Sequence, residues 1–352
     1  MAVVRVYLLT YRRPALLPRA LASLRAQTFT DWVCELHNDA PDDDTPGRLL
    51  AEINDPRIRL HQHAINWGST ASFNHMFRGG PEPFLSLLED DNWWEPDFLA
   101  TALSAIHADP AAQVVWANMH LWAEQRDGTW INTGRTIWNN PSGNLAPQRF
   151  HWPVLLQSFN ALHSIGAMLV RAGASRQALV PPETPIDIVE PIRERLLGGG
   201  WLLLPQPLAH FAITLGTARS ENPVDWARSQ MLIAASFLHS VDLRPTEVRT
   251  LWTALRDQRP RSTSLLFHVA LAGVRPWTLL RHARPMDWIR FLAGTLRHPI
   301  TCARILRFRR THRTIWETLL AGAAARTREA AASGRATDLL VVKSIPTTTT
   351  PA

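Results

Sequence analysis

The chain has 352 residues, 46% of them hydrophobic, and a formal net charge of +7 from 37 basic and 30 acidic side chains. It is long and apolar enough to bury a large core beside a second unit, which excludes a disordered or low-complexity protein. No apolar run approaches the roughly 18 residues of a membrane span, and Cys34 and Cys302 lack metal-ligand spacing, which predicts two reduced thiols and excludes a disulfide scaffold.

Val3 to Leu9 is an apolar run that predicts a strand and leaves no room for a signal peptide. It ends in Thr10-Tyr11-Arg12-Arg13-Pro14 and enters a helical pattern with Leu16, Leu17, Ala20, Leu21 and Leu24 on one face. Trp32 to Leu36 is a second such run, ending in His37-Asn38-Asp39-Ala40-Pro41, and Arg57 to His61 a third, followed by Asn66-Trp67-Gly68-Ser69 and a helix carrying Phe73, Met76 and Phe77. Phe84 to Leu88 is the fourth and stops at Glu89-Asp90-Asp91, after which Pro96 and Asp97 suit the start of a helix. Strands alternating with helices predict an α/β sheet with the polar turns along one edge, so Asp39 and the Asp90/Asp91 pair converge. Adjacent carboxylates repel, and two readings of the acidic turn stand at this point: a solvated helix-capping turn, or a site for a divalent cation with a diphosphate.

From about Met119 to Asn160 the chain is rich in tryptophan and amides, among them Trp122, Trp130, Asn132, Trp138, Asn139, Asn140, Asn144, Gln148, Trp152, Gln157 and Asn160. Aromatic faces stack on pyranose rings and amides bind hydroxyls, so Trp93, Trp94, Trp122 and Trp130 are candidates for a carbohydrate cleft; filling core is the other use of the chain's 15 tryptophans. Pro141, Gly143 and Pro147 mark a loop. The segment Pro185 to Leu197 carries Asp187 and Glu190, which on a helix would lie one turn apart, and is followed by Gly198-Gly199-Gly200 and Trp201 to Leu204.

The turns resemble those of family 2 glycosyltransferases of GT-A fold. Thr10 to Pro14, Ala26-Gln27-Thr28-Phe29, His37 to Pro41, Asp55-Pro56-Arg57-Ile58-Arg59, Asn66-Trp67-Gly68 and Glu89-Asp90-Asp91-Asn92 fall in the family's order and spacing. The resemblance implies a GT-A fold with a mostly parallel central sheet plus a C-terminal helical region. It further implies an inverting, metal-dependent transferase that moves a hexosyl-type sugar from a nucleotide-diphosphate donor, most simply a UDP-sugar. In that reading Asp39 accepts from the base N3, Asp90 contacts the ribose, and Asp91 binds Mg²⁺ or Mn²⁺ at a DXD-type motif. Thr10, Tyr11, Arg13, Asn66 and Gly68 line the donor site. Glu190, then Asp187, is the candidate base, and the acceptor is a saccharide or a lipid-linked, envelope-type hydroxyl of polysaccharide biosynthesis. Asn38, Phe73 and Thr214 depart from the family pattern and motivate the alternative of a non-catalytic nucleotide-sugar-binding or assembly subunit. A nucleotidyltransferase would want a glycine in the Thr10 to Pro14 turn, which has none.

Residues 1–219 hold 17 basic against 21 acidic side chains, and residues 220–352 hold 20 against 9. The expected division is a catalytic domain over 1–219 (a nucleotide-sugar half, 1–118, and an acceptor half, 119–219), a basic helical region over 220–343, and a threonine- and proline-rich disordered tail over 344–352. Helices are predicted at Val224 to Leu238, Thr246 to Asp257, Ser264 to Leu271, Met286 to Leu296, and Ile300 to about Arg328. The arginine clusters among apolar residues there suit an anionic membrane surface or a cap on the acidic domain, and no nucleic-acid motif accompanies them. The expected location is cytoplasmic, peripheral to the inner membrane face.

Overall fold

The computed structural model describes residues 2–140, 143–176, 178–198, 200–216, 223–258, 264–273, 275–333 and 339–341. Pro141, Gly199, Pro260, the expected boundary at residues 219 and 220, and the expected disordered tail lie outside them.

The N-terminal half runs β1 (Val4–Thr10), α1 (Leu17–Arg25), β2 (Trp32–Asn38), α2 (Thr45–Ile53), β3 (Ile58–Gln62), α3 (Ser69–Met76), β4 (Phe84–Glu89), β5 (Trp93–Trp94) and α4 (Phe98–Ala108). Then come β6 (Ala112–Glu124), β7 (Trp130–Thr136), β8 (Gln148–Phe150), β9 (Met168–Arg171), α5 (Ala172–Ser175), α6 (Ile186–Leu196) and β10 (Gly200–Ile213). The helical region is α7 (Pro223–Ser240), α8 (Pro245–Gln258), α9 (Leu265–Ala272), α10 (Pro285–Arg297), α11 (Pro299–Thr311) and α12 (Arg313–Ala332). The single long helix expected from Ile300 is broken at His312, whose ring packs 3.9 Å from Phe308 where no proline or glycine marks a stop.

The sheet order is β3-β2-β1-β4-β9-β6-β10-β5, with β7 on β6 and β8 on β10. Strands β3, β2, β1 and β4 are parallel, as crossover helices require, and β6 runs parallel to β10. Strand β9 enters antiparallel between β4 and β6, so the sheet is mixed beyond β4. Because β1 lies between β2 and β4, the turns after all three strands meet on one edge.

Gln27 explains one of the recurring motifs. Its side chain donates to the carbonyls of Ser23 and Glu95 and accepts from the Leu99 amide, latching the end of α1 to the start of α4 behind the acidic turn. Gln27 is buried, and a buried amide whose donor and acceptor are both matched stabilises by about 1 kcal/mol per bond. One apolar core fills the space between the sheet and helices α1 and α4. A different core joins Ile188, Val189 and Ile192 of α6, with Trp152 and Leu155, to α7, α8, α9 and α12.

Candidate functional site

Asp39 follows β2 and is almost fully buried. Its Oδ1 accepts from the Trp67 amide (2.6 Å) and faces His63 Nδ1 (3.0 Å); its Oδ2 accepts from the Gly68 amide (3.0 Å) and the Ser72 hydroxyl (3.2 Å). Asn66 folds the same loop by accepting from the Gly68 amide at 2.6 Å, and Gly68 sits at φ +77°, a conformation that favours glycine at the start of α3. A carboxylate offers about four acceptor sites, all engaged here, so a base N–H would have to displace one of these donors. Below Asp39, His37, His61, His63 and His75 cluster with Trp67, which stacks on His63 at 3.6 Å. Burial pushes His37 and His75 down to about 4, so both imidazoles are neutral at pH 7.

Asp90 ends β4 against the turn after β1. It accepts from the Tyr11 amide at 3.3 Å and from the Thr10 hydroxyl, while the Asp39 amide donates to the Thr10 carbonyl at 2.9 Å. Thr10, Tyr11, Asp39 and Asp90 are therefore brought together as expected from the strand ends. Burial first, then the adjacent charge of Asp91, raises the Asp90 carboxyl to about 7 despite those hydrogen bonds. The Arg13 guanidinium lies 4.0 Å from Asp91, and Arg19 donates to the Asp91 carbonyl at 2.8 Å. Two neighbouring carboxylates at the strand end fit a small divalent cation that keeps part of its water shell, and Asp91 would hold it. Glu35, His37 and His61 also bring ligand atoms within 4.8 Å of one another, but Arg5 already neutralises Glu35 and opposes a cation there.

An aromatic wall stands beside the acidic turn. Trp93 stacks on His210 at 4.7 Å and lies 5.5 Å from Trp122. The Arg19 guanidinium sits over the rings of Trp93 (3.7 Å) and Trp130 (4.5 Å). The Trp122 indole donates to His210 Nδ1 at 3.0 Å; an indole only donates, so Nδ1 is the acceptor and Nε2–H points at Glu95, 2.8 Å away. Burial lowers the His210 pKa, in keeping with that neutral tautomer. Trp93, Trp122 and Trp130 thus come together. Trp94 does not: it is 2% exposed, its indole donates to the Gly166 carbonyl at 2.7 Å, and its ring packs on Phe98. The correction has a simple cause, since successive residues of a strand point to opposite faces and β5 can show only one tryptophan to the cleft. Trp138 and Trp152 are buried as well, in the sheet core and against the helical region.

Helix α6 carries a buried ionic network. His163 lies between Glu190 (Nε2 to Oε2, 2.8 Å) and Glu194 (Nδ1 to Oε2, 3.1 Å), and Arg193 Nε reaches Glu190 Oε1 at 3.1 Å. Burial alone would push His163 down, but the bonds and charges of Glu190 and Glu194 hold it at about 9, an imidazolium at neutral pH. Burial likewise acts to raise Glu190, yet Arg193 and His163 prevail and lower it below the ordinary glutamate value. Arg193 and Arg195, residues a solvated helix would expose, are fully buried: Arg193 donates to the Ala178 carbonyl and Arg195 to Ser236 Oγ. Asp187 lies in the first turn of α6, partly exposed. Sequence reasoning missed Arg19, His163 and the Glu95–His210 pair, because their partners lie far along the chain and no local pattern marks them.

Residues 6–155 match the family model described as glycosyl transferase family 2. The uncharacterized protein y4gI of Sinorhizobium fredii is 29% identical over 107 residues, 30% of this chain and 12% of the relative. The putative colanic acid biosynthesis glycosyl transferase WcaA of Escherichia coli is 25% identical over 103 residues, 29% of this chain and 37% of the relative. The matched segments therefore span well under half of either curated relative. Among solved structures, S. aureus TarS 1-349 in complex with UDP-GlcNAc is 12% identical, with a TM-score of 0.55 over 95% of this chain and 93% of that one. This likeness shows a shared GT-A fold.

Proposed function

We propose that this chain, whose residues 6–155 match the glycosyl transferase family 2 model, transfers a sugar with inversion from a nucleotide-diphosphate donor to an acceptor hydroxyl. The observation that supports it most is the meeting of Thr10, Tyr11, Asp39 and Asp90 on the edge formed by three adjacent parallel strands, with an aromatic wall beside them. A UDP-sugar is the simplest donor, in line with the UDP-GlcNAc bound to TarS. The nucleoside would lie along the Asp39–Asn66–Gly68 side and the ribose by Asp90. A divalent cation held by Asp91, Mg²⁺ or Mn²⁺, would neutralise the departing diphosphate. Arg13 is placed to add positive charge on the same side. Trp93, Trp122 and Trp130 would stack the acceptor, a saccharide or lipid-linked envelope hydroxyl, and exclude water from the reacting face. A cytoplasmic chain touching an anionic membrane surface would meet such an acceptor at the lipid boundary.

In this reading a carboxylate of α6 takes the acceptor proton. Glu190 has an oxygen on each of two cations and a lowered pKa, which makes it a weak base and a good anchor. Asp187 is therefore proposed as the base and Glu190 as the residue that positions His163 and Arg193. The test is donor turnover, read as UDP release from UDP-sugars, in Asp187→Asn and Glu190→Gln. Asp187→Asn is expected to lower kcat about 10²-fold or more with UDP affinity unchanged. A larger kcat loss in Glu190→Gln at unchanged stability would transfer the role to Glu190, and no loss in either would remove α6 from the mechanism.

A further inference from the structure

Helix α10 turns an apolar stripe to solvent. Trp288, Ile289, Leu292 and Leu296, spaced i, i+1, i+4 and i+8, are 41%, 56%, 57% and 83% exposed. The orientation of the helix is fixed from its other side. Phe291 packs 4.7 Å from Phe267 of α9, and buried Asp287 accepts from Arg256 at 2.9 Å while its carbonyl accepts from Ser264. Packing on α9 and α11 thus leaves the stripe exposed. A helix anchored on one side through Asp287 and Phe291 that still turns an aligned apolar stripe to solvent on the other needs a second partner, and scattered surface leucines do not produce this alignment.

The charge around the stripe says what the partner is. From Arg275 to Arg310 there are nine arginines and one acid, Asp287, which is buried and paired. Arg297 of α10 and Arg304, Arg307 and Arg310 of α11 are exposed. A second copy of this chain would set arginines against arginines. A nucleic acid would match the arginines but leave Ile289, Leu292 and Leu296 in water. A bilayer rich in anionic lipid satisfies both, the aliphatic side chains entering the headgroup–acyl boundary and the guanidiniums lying at the phosphates.

We propose that α10 is a membrane-docking helix that lies in the plane of an anionic bilayer, inserting Trp288, Ile289, Leu292 and Leu296, with the arginines of α10 and α11 as its electrostatic border. This contact does not depend on the sugar-transfer reading, because vesicle binding needs neither donor nor turnover. The experiment is co-sedimentation of the full chain with phosphatidylcholine vesicles, with and without phosphatidylglycerol, at low and high salt. The expected result is binding to the anionic vesicles only, weakened by salt. Ile289→Ser/Leu292→Ser/Leu296→Ser, all at exposed positions, should lower it roughly tenfold or more while leaving the unfolding transition in place. Arg304→Glu/Arg307→Glu should weaken binding and flatten its salt dependence. Vesicle binding unchanged in the serine variant would overturn the proposal. So would absence of binding by the parent chain, self-association that the serine variant abolishes, or tighter binding to an oligonucleotide than to anionic vesicles.

Discussion

Asp39 illustrates how one side chain can build a site before any ligand arrives. Its carboxylate gathers two backbone amides, a hydroxyl and a histidine, fixing the Trp67–Gly68 loop that opens α3. His163 does the same for α6, as a cation buried between two glutamates. Its folded pKa of about 9 lies above the ordinary histidine value, so the stability it contributes is fully present below about 6.5 and is lost as pH rises through 9. His163→Gln should cost about 3 kcal/mol in urea unfolding at pH 6, because the imidazolium that bridges Glu190 and Glu194 in the interior is lost, and the gap from the parent should narrow above pH 9. A gap that is constant with pH would show that His163 is neutral in the fold. Neither role is legible in sequence: Asp39 stands out as an acid at a strand end, but its partners Ser72 and His63 do not, and His163 is joined to Glu190 and Glu194 only by tertiary packing.

At the scale of elements, the grammar of apolar run, polar turn and helix is visible because each β–turn–α unit is local, and β1 to β4 with α1 and α3 fall within a residue or two of their expected positions. The second half of the sheet is less legible. Strand β9 is four residues long and antiparallel, and β5 is two residues long, too short for any periodic signal. That short strand sorts two adjacent tryptophans into different jobs. Trp94→Ala should destabilise the protein by about 3–5 kcal/mol, since it empties a core position and orphans the Gly166 carbonyl. Trp93→Ala should leave unfolding nearly unchanged and raise the acceptor KM. If Trp93→Ala is the more destabilising change, the ring stack with His210 is structural and the aromatic wall is not an acceptor surface.

At the scale of the whole molecule, the helical region and the sheet half are joined through α6. Its apolar face packs with α7 and α12, while its charged face holds the Glu190–His163–Arg193 network. The expected division near residue 219 follows the change in charge, yet one apolar core crosses it, because burial is set by which faces meet and not by composition along the chain. Among the described residues no helix is long and apolar enough to cross a membrane, and the positive charge is borne by the helices farthest along the chain.

The central claim is that the edge after β1, β2 and β4 is a metal-assisted nucleotide-sugar site organised by Asp91. Calorimetric titration of the full chain with UDP, GDP and dTDP, with and without Mn²⁺, in the parent and in Asp91→Ala, tests it most directly. The account predicts UDP binding that requires Mn²⁺ and is lost in Asp91→Ala while the fold is retained. Absence of binding by every nucleotide, or UDP binding indifferent to both Mn²⁺ and Asp91, would contradict it.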